Sequence, residues 1–215
     1  SRRQCNRNRK RDGKLGLVFD SPFNRRITAD TPMEVTGPAE GHTMLKTAAD
    51  PASTRVLGTF NNCGGGRTPW GTYLTCEEYF NRYFSASDPN EQLNPVFKRY
   101  GVKHTDRGFR WAATDGRFDI SKHPNEPNRH GYIVEIDPLD PSSTPKKRTA
   151  LGRFKHENAE VILADDGRVV VYMGDDERDE FLYKYASDDR YSAGGETEKL
   201  LVSGTLYTAQ FDDHG

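Results

Sequence analysis

The sequence predicts an all-β fold of short antiparallel strands, and three observations carry that prediction. The 215 residues include 20 Gly and 12 Pro among many Asp and Asn, which favours frequent turns over long helices. Two apolar, β-branched runs at 160–164 and 168–173 flank Asp165-Asp166-Gly167, the pattern of a tight hairpin. No helical crossover pattern separates the strand-like runs, so they read as an antiparallel meander. Repeated, such a meander gives a sandwich or the blades of a β-propeller, and a propeller is the expectation. At about 40–50 residues per four-stranded blade, the length holds roughly four or five blades, fewer than a closed ring of ordinary size.

Taken in order, residues 1–11 crowd Arg2, Arg3, Arg7, Arg9, Lys10 and Arg11 together without an acidic residue and read as a solvated, disordered basic tail. Arg2-Arg3 is faintly similar to a twin-arginine export signal, but the apolar stretch such a signal requires does not follow. Residues 12–215 form the expected propeller segment. Strand signals appear at 55–61 and 73–76. From about 85 to 129 the chain turns polar, with Pro89, Pro95, Pro124 and Pro127, and reads as a long excursion between blades, partly ordered by Phe109 and Trp111. Residues 132–137 alternate and stop at Pro138 and Pro141. The hairpin follows, then a strand at 180–185 after an acidic turn, and strand-like sequence at 201–211.

Composition narrows the function classes. The 31 basic residues nearly cancel 32 acidic ones, so no global field selects nucleic acid or an anionic membrane as partner. No run approaches the ~18 apolar residues of a membrane-spanning helix. The 11 Phe, 10 Tyr and 2 Trp supply more core-forming surface than disordered chains carry. Cys5, Cys63 and Cys76 are odd in number and widely spaced, which excludes a dense disulfide framework and a paired C-x-x-C zinc site, and leaves room for one disulfide with a free thiol.

Three clusters carry chemistry. In the block from Asn61 to Glu78, Gly64-Gly65-Gly66 permits close backbone approach, and a strand then delivers Cys76, Glu77 and Glu78 to its C-terminal end. A thiolate suits iron or zinc, and adjacent carboxylates suit calcium or ferric iron. The competing reading makes Cys76 a small core residue and the glutamates solvated strand-end charges. In Phe154-Lys155-His156-Glu157, neighbouring side chains point to opposite faces, so one of His156 and Glu157 faces a common site, and Glu157 is the choice; otherwise the pair is an exposed loop. In Gly174-Asp175-Asp176-Glu177-Arg178-Asp179-Glu180, Arg178 and Glu180 share a face if the segment is a strand. A guanidinium recognises phosphate oxygens by paired hydrogen bonds while carboxylates hold cations; the alternative is a surface acidic turn paired with Arg178.

Together these blocks, with Asn24-Arg25-Arg26-Ile27-Thr28-Ala29, Thr36-Gly37-Pro38-Ala39, residues 148–157 and residues 171–178, resemble the PhoX-type alkaline phosphatases, bacterial calcium- and iron-dependent phosphomonoesterases. The resemblance runs from about Asp12 to the end of the chain. It implies a six-bladed propeller with a central site holding a ferric pair bridged by a cysteine and an oxide, with Ca2+ beside the Fe3+. Carried over, Cys76 is the bridging thiolate, Glu77, Glu157 and Glu180 are metal ligands, and Arg178 orients the phosphate. It further implies small-molecule phosphate esters as substrates, a periplasmic or secreted location, and a chain covering roughly the middle third to half of a family member, hence an incomplete ring. The rival readings are a calcium-dependent lactonase, which needs no cysteine, and a calcium-stabilised binding propeller without catalysis.

Overall fold

The computed structural model describes residues 3–212, so Ser1, Arg2 and the closing Asp213-His214-Gly215 lie outside the described residues. The chain is mostly β with few helices. Its strands are β1 (Arg3–Cys5), β2 (Asn8–Arg11), β3 (Lys14–Leu17), β4 (Arg25–Ile27), β5 (Pro32–Thr36), β6 (Arg55–Leu57), β7 (Asn62–Arg67), β8 (Tyr73–Glu77), β9 (Ile133–Ile136), β10 (Lys146–Arg148), β11 (Glu160–Leu163), β12 (Arg168–Gly174), β13 (Leu182–Arg190) and β14 (Gly204–Thr208). Two short helices, α1 (Pro95–Arg99) and α2 (Trp111–Thr114), and several single 3-10 turns complete it.

β11 to β14 form a four-stranded antiparallel meander in chain order. The hairpin read from Asp165-Asp166-Gly167 is there, with Gly167 at φ +85, a backbone region that favours glycine. A six-stranded sheet runs β6-β5-β10-β9-β8-β7, in which β5 and β10 are parallel and the other pairs antiparallel. The two sheets enclose one apolar core: Leu74, Cys76 and Ile133 from the six-stranded sheet meet Val169, Val171, Met173 and Tyr185 from the meander. The opposite face of the six-stranded sheet carries a second core of Met33, Val35, Val56, Val134 and Ile136. Each such aliphatic side chain, fully buried, contributes about 1.5–3 kcal/mol.

Several expectations are corrected. Within the stretch read as a disordered tail, β1 pairs with β4, and β2 pairs with β3 around Asp12-Gly13, where both residues have positive φ. Backbone pairing there overrides the charge density that suggested a tail. The strand expected at 180–185 begins at Leu182, so Arg178 and Glu180 sit in a turn and not on one strand face; Asp179 at φ +64 breaks the extended path between them. Residues 198–201 form a 3-10 turn before β14. The excursion at about 85–129 contains no strand, yet it is packed: Phe97, Val102, Phe118 and Ile120 are buried with Phe60, Phe80 and Phe84 in a third, aromatic core.

Candidate metal centre

β8 ends the Gly-rich block, and its alternation decides where each side chain goes. Leu74 and Cys76 share one face and enter the inter-sheet core, where Cys76 is fully buried. Glu77 points to the opposite face, into a buried polar network. Its Oε1 accepts from Lys147 Nζ at 2.8 Å, and its Oε2 accepts from the backbone N–H groups of Gly131 at 2.8 Å and Tyr132 at 3.1 Å. Lys147 Nζ also donates to Arg129 O at 3.1 Å and His130 Nδ1 at 2.9 Å. Burial pushes the Glu77 carboxyl up, but the Lys147 ammonium and His130 pull it down further, to about 2. Three of the roughly four acceptor sites of this carboxylate are thus taken by hydrogen bonds within the chain.

The residue after it behaves differently. β7 pairs with β8 through a register shift: Asn62 lies opposite Glu77 and Gly65 opposite Thr75, so Cys63 and Gly64 together face Cys76. This bulge turns Cys63 out of the sheet, exposed. There its Sγ donates to Glu157 Oε1 at 3.3 Å, and the ligand atoms of Cys63, Glu78 and Glu157 all lie within 4.8 Å of one another. The triple glycine makes this possible. Gly64 N donates to Glu157 O at 2.8 Å and Gly65 N to Asn158 Oδ1 at 2.9 Å. A Cβ on Gly66 would stand 2.0 Å from Ala159 O, so β7 can lie against residues 157–159 only without side chains.

The cluster is an anionic one. Burial, a hydrogen bond shared with Asp176 and the charge of Glu157 push the Glu78 carboxyl up to about 7. Burial, the bond to Glu157 and the nearby carboxylates push the Cys63 thiol up to about 11. Both shifts mark a set of donors crowded together without enough positive charge, the state a bound cation relieves. Asp176 accepts from Tyr79 Oη at 2.5 Å, and that bond first, with burial, raises Tyr79 to about 12. The Arg82 guanidinium lies 3.6 Å from the centre of the Tyr79 ring.

Of the residues expected at the site, only Glu157 lies in this cluster. Cys76 is in the core and Glu77 in the buried network. Glu180 pairs with Arg99 at 2.5 Å, and its second oxygen is buried with no hydrogen-bond partner among the described residues. Beside it, burial, helped by the Glu180 charge against the Lys155 backbone N–H, pushes Asp175 up to about 6. Arg178 is exposed in the same turn. The members of this cluster that sequence reasoning did not choose are Cys63 and Glu78. The signal for them lay in Leu74-Thr75-Cys76, whose period of two assigns Cys76 to the core, and in the glycines that force β7 out of regular pairing.

The model of a family described as "Alkaline phosphatase PhoX" matches residues 4–215. Among solved structures, the chain is similar to Pseudomonas fluorescens PhoX in complex with vanadate, a transition state analogue, at 53% identity and a TM-score of 0.91. The similarity covers 95% of this chain and 36% of that one, so the chain spans about a third of the length of that relative. No curated protein matches the chain.

Proposed function

Because the chain belongs to the PhoX alkaline phosphatase family, we propose that it forms part of a metal-dependent phosphomonoesterase that releases inorganic phosphate from small phosphate esters. The observation that carries this reading is the convergence of Cys63, Glu78 and Glu157, a strand bulge and two segments flanking strands placing a thiol and two carboxylates within 4.8 Å. The donor set fits the metals the resemblance implies. A thiolate with carboxylates suits Fe3+, and carboxylates alone, as at Asp175 and Glu180, suit Ca2+.

In this reading Cys63, Glu78 and Glu157 hold the iron, and Asp175 with Glu180 holds calcium. Such cations, when bound, neutralise charge on phosphoryl oxygens as the ester is cleaved. The remaining work falls to the chain. Tyr79 and the backbone around Asp176 fix the turn 175–180 against the end of β8, and Arg178, exposed in that turn, orients the phosphate by paired hydrogen bonds. In this reading the four-stranded meander β11–β14 is one blade of a propeller. A periplasmic or secreted location belongs to the same reading and rests on family membership alone.

The test is metal content of the purified protein together with hydrolysis of p-nitrophenyl phosphate, with and without EGTA, in wild type and Cys63→Ser. Iron and calcium bound, turnover sensitive to EGTA, and loss of both iron and turnover in Cys63→Ser are expected. Calcium without iron and no turnover would replace the phosphatase with a calcium-stabilised binding module. Turnover indifferent to Cys63→Ser would remove the thiolate from the chemistry.

A further inference from the structure

Glu77 is tied down at every polar atom it has. Its N–H donates to Tyr132 O at 3.2 Å, its carbonyl accepts from His156 N at 3.1 Å, and its carboxylate takes Lys147 Nζ and two backbone N–H groups. The residues on the far side of those backbone contacts are the ones that matter. Glu78 follows Glu77 directly, and its own N–H donates to Asn61 O at 3.2 Å, at the start of the strand that carries Cys63. Glu157 follows His156 directly, and its carbonyl accepts from Gly64 N next to Cys63. One fixed residue therefore stands one peptide from Glu78 and one backbone hydrogen bond from the residue preceding Glu157, and the segment from Asn61 to Gly64 closes the circuit to the thiol.

Lys147 completes the arrangement from β10, on the same face of the sheet and across β9 from Glu77. It is fully buried on β10, with three acceptors around its ammonium: Glu77, Arg129 O and His130 Nδ1. With Nδ1 accepting, His130 keeps its proton on Nε2, facing Glu126 Oε1 at 3.4 Å. An apolar pair of the same volume at 77 and 147 would hold β8 to β10 comparably well. It would not accept the N–H groups of Gly131 and Tyr132, nor fix the orientation of residue 77 about its own backbone.

We propose that Lys147 and Glu77 are positioning residues for the metal site: the buried pair sets the backbone from which Glu78 and Glu157 reach Cys63. This rests on the reading of Cys63, Glu78 and Glu157 as metal ligands. The like charges of the two carboxylates push them apart, and the pair beneath them resists that displacement before any cation arrives.

The experiment is a Co2+ titration of the full chain, followed by the thiolate-to-cobalt charge-transfer absorption, with circular dichroism and the thermal midpoint recorded on the same samples. Lys147→Met leaves the Glu77 carboxylate without its partner, and Co2+ affinity falls by about tenfold or more in protein that is still folded at the titration temperature. Adding Glu77→Gln, which keeps the shape and the acceptor for Gly131 and Tyr132 but removes the charge, restores most of that affinity. Should Lys147→Met alone fail to fold, the comparison is Lys147→Met/Glu77→Gln against Lys147→Met/Glu77→Leu, in which only the leucine version loses Co2+. Wild-type affinity in folded Lys147→Met, or equal affinity in the two double variants, overturns the proposal, because the pair then serves stability alone. Glu157→Gln and Cys63→Ser separate the two levels. If both leave the titration unchanged, the metal-site reading itself fails; if they abolish it while the Lys147 variants do not, only the positioning role is lost.

Discussion

Glu77 and Glu78 are adjacent, chemically identical and opposite in fate. The first faces an ammonium and two N–H groups in a sealed interior and sits at about 2; the second faces a thiol and two more carboxylates at the rim and sits at about 7. Strand alternation turns Glu77 away from the Cys76 face, and Glu78, the first residue past the end of β8, meets Cys63 and Glu157 instead. A carboxylate with its charge balanced and both oxygens hydrogen-bonded makes a structural element, whereas anionic donors crowded without compensation make a place for a cation. Proximity in sequence to a promising cysteine therefore says little about which role a carboxylate plays.

The largest effect should come from unbalancing the buried side. Lys147→Met leaves a fully buried carboxylate unpaired, a loss on the order of 3–5 kcal/mol. Chemical denaturation should show a midpoint shift of that size with an unchanged slope. The double variant with Glu77→Gln should recover most of it. If the single variant is nearly as stable as wild type, the Glu77–Lys147 pair contributes little and the contrast with Glu78 loses its basis.

Next come the two cysteines, which sharpen the comparison because they are opposite in register across the bulge, one buried in the core and the other exposed. Cys63→Ser should lower iron content and phosphatase turnover by about 100-fold, on the order of 2.7 kcal/mol, with little change in stability. Cys76→Ser should do the reverse, leaving the metal in place while a hydroxyl in the apolar core costs about 1–3 kcal/mol. Metal analysis and thermal melts on the two variants decide the matter. Loss of iron in Cys76→Ser with full retention in Cys63→Ser would exchange their roles.

A third variant probes the geometry that brings the thiol to the rim. Gly66→Ala would set a methyl 2.0 Å from Ala159 O, and backbone must shift to admit it. A stability loss of about 1–3 kcal/mol is expected, with weaker Co2+ binding because β7 moves away from residues 157–159. A neutral Gly66→Ala would mean that the glycines are not needed for the approach of the two segments.

Much of this was legible in the sequence. The hairpin around Asp165-Asp166-Gly167, the alternating run that became β9 and the strand ending at Glu77 follow from periodicity and turn chemistry, which are local. Alternation allowed only one of His156 and Glu157 to face a common site without saying which, and Glu157 is the one that lies beside Cys63 and Glu78. What stayed hidden depends on pairing between distant segments. The bulge at Cys63 exists only against β8 and residues 157–159, and Lys147, on the three-residue strand β10, gains its meaning from Glu77, 70 positions away. The ordering of residues 3–11 is likewise a pairing effect, which composition read as a tail. The compactness of the 85–129 excursion comes from aromatic side chains that meet Phe60 and Phe84 across the chain, so its polar composition concealed a core.

The smallest expected effect is the most direct measure of the contrast between the two glutamates, in metal-free protein. Glu78 has its folded value raised from 4.5 to about 7, so its contribution to stability is fully present below pH 4.5 and is lost as pH rises through 7. Glu77 has its folded value lowered to about 2, so its contribution is present above pH 4.5 and is lost as pH falls towards 2. Because Glu78, though buried, borders the exposed Cys63 and shares its proton with Asp176, its part is reduced to on the order of 1 kcal/mol. Thermal midpoints of wild type and Glu78→Gln, taken from pH 4 to 8 in the presence of chelator, should therefore run together in acid and diverge above pH 5, with the glutamine variant the more stable at pH 8. Addition of metal should reverse that order, since the charge that destabilises the empty site is the charge that binds the cation. Parallel curves across the whole range would mean that Glu78 is no more crowded than an ordinary surface carboxylate, and the cluster would lose its claim to be a cation site.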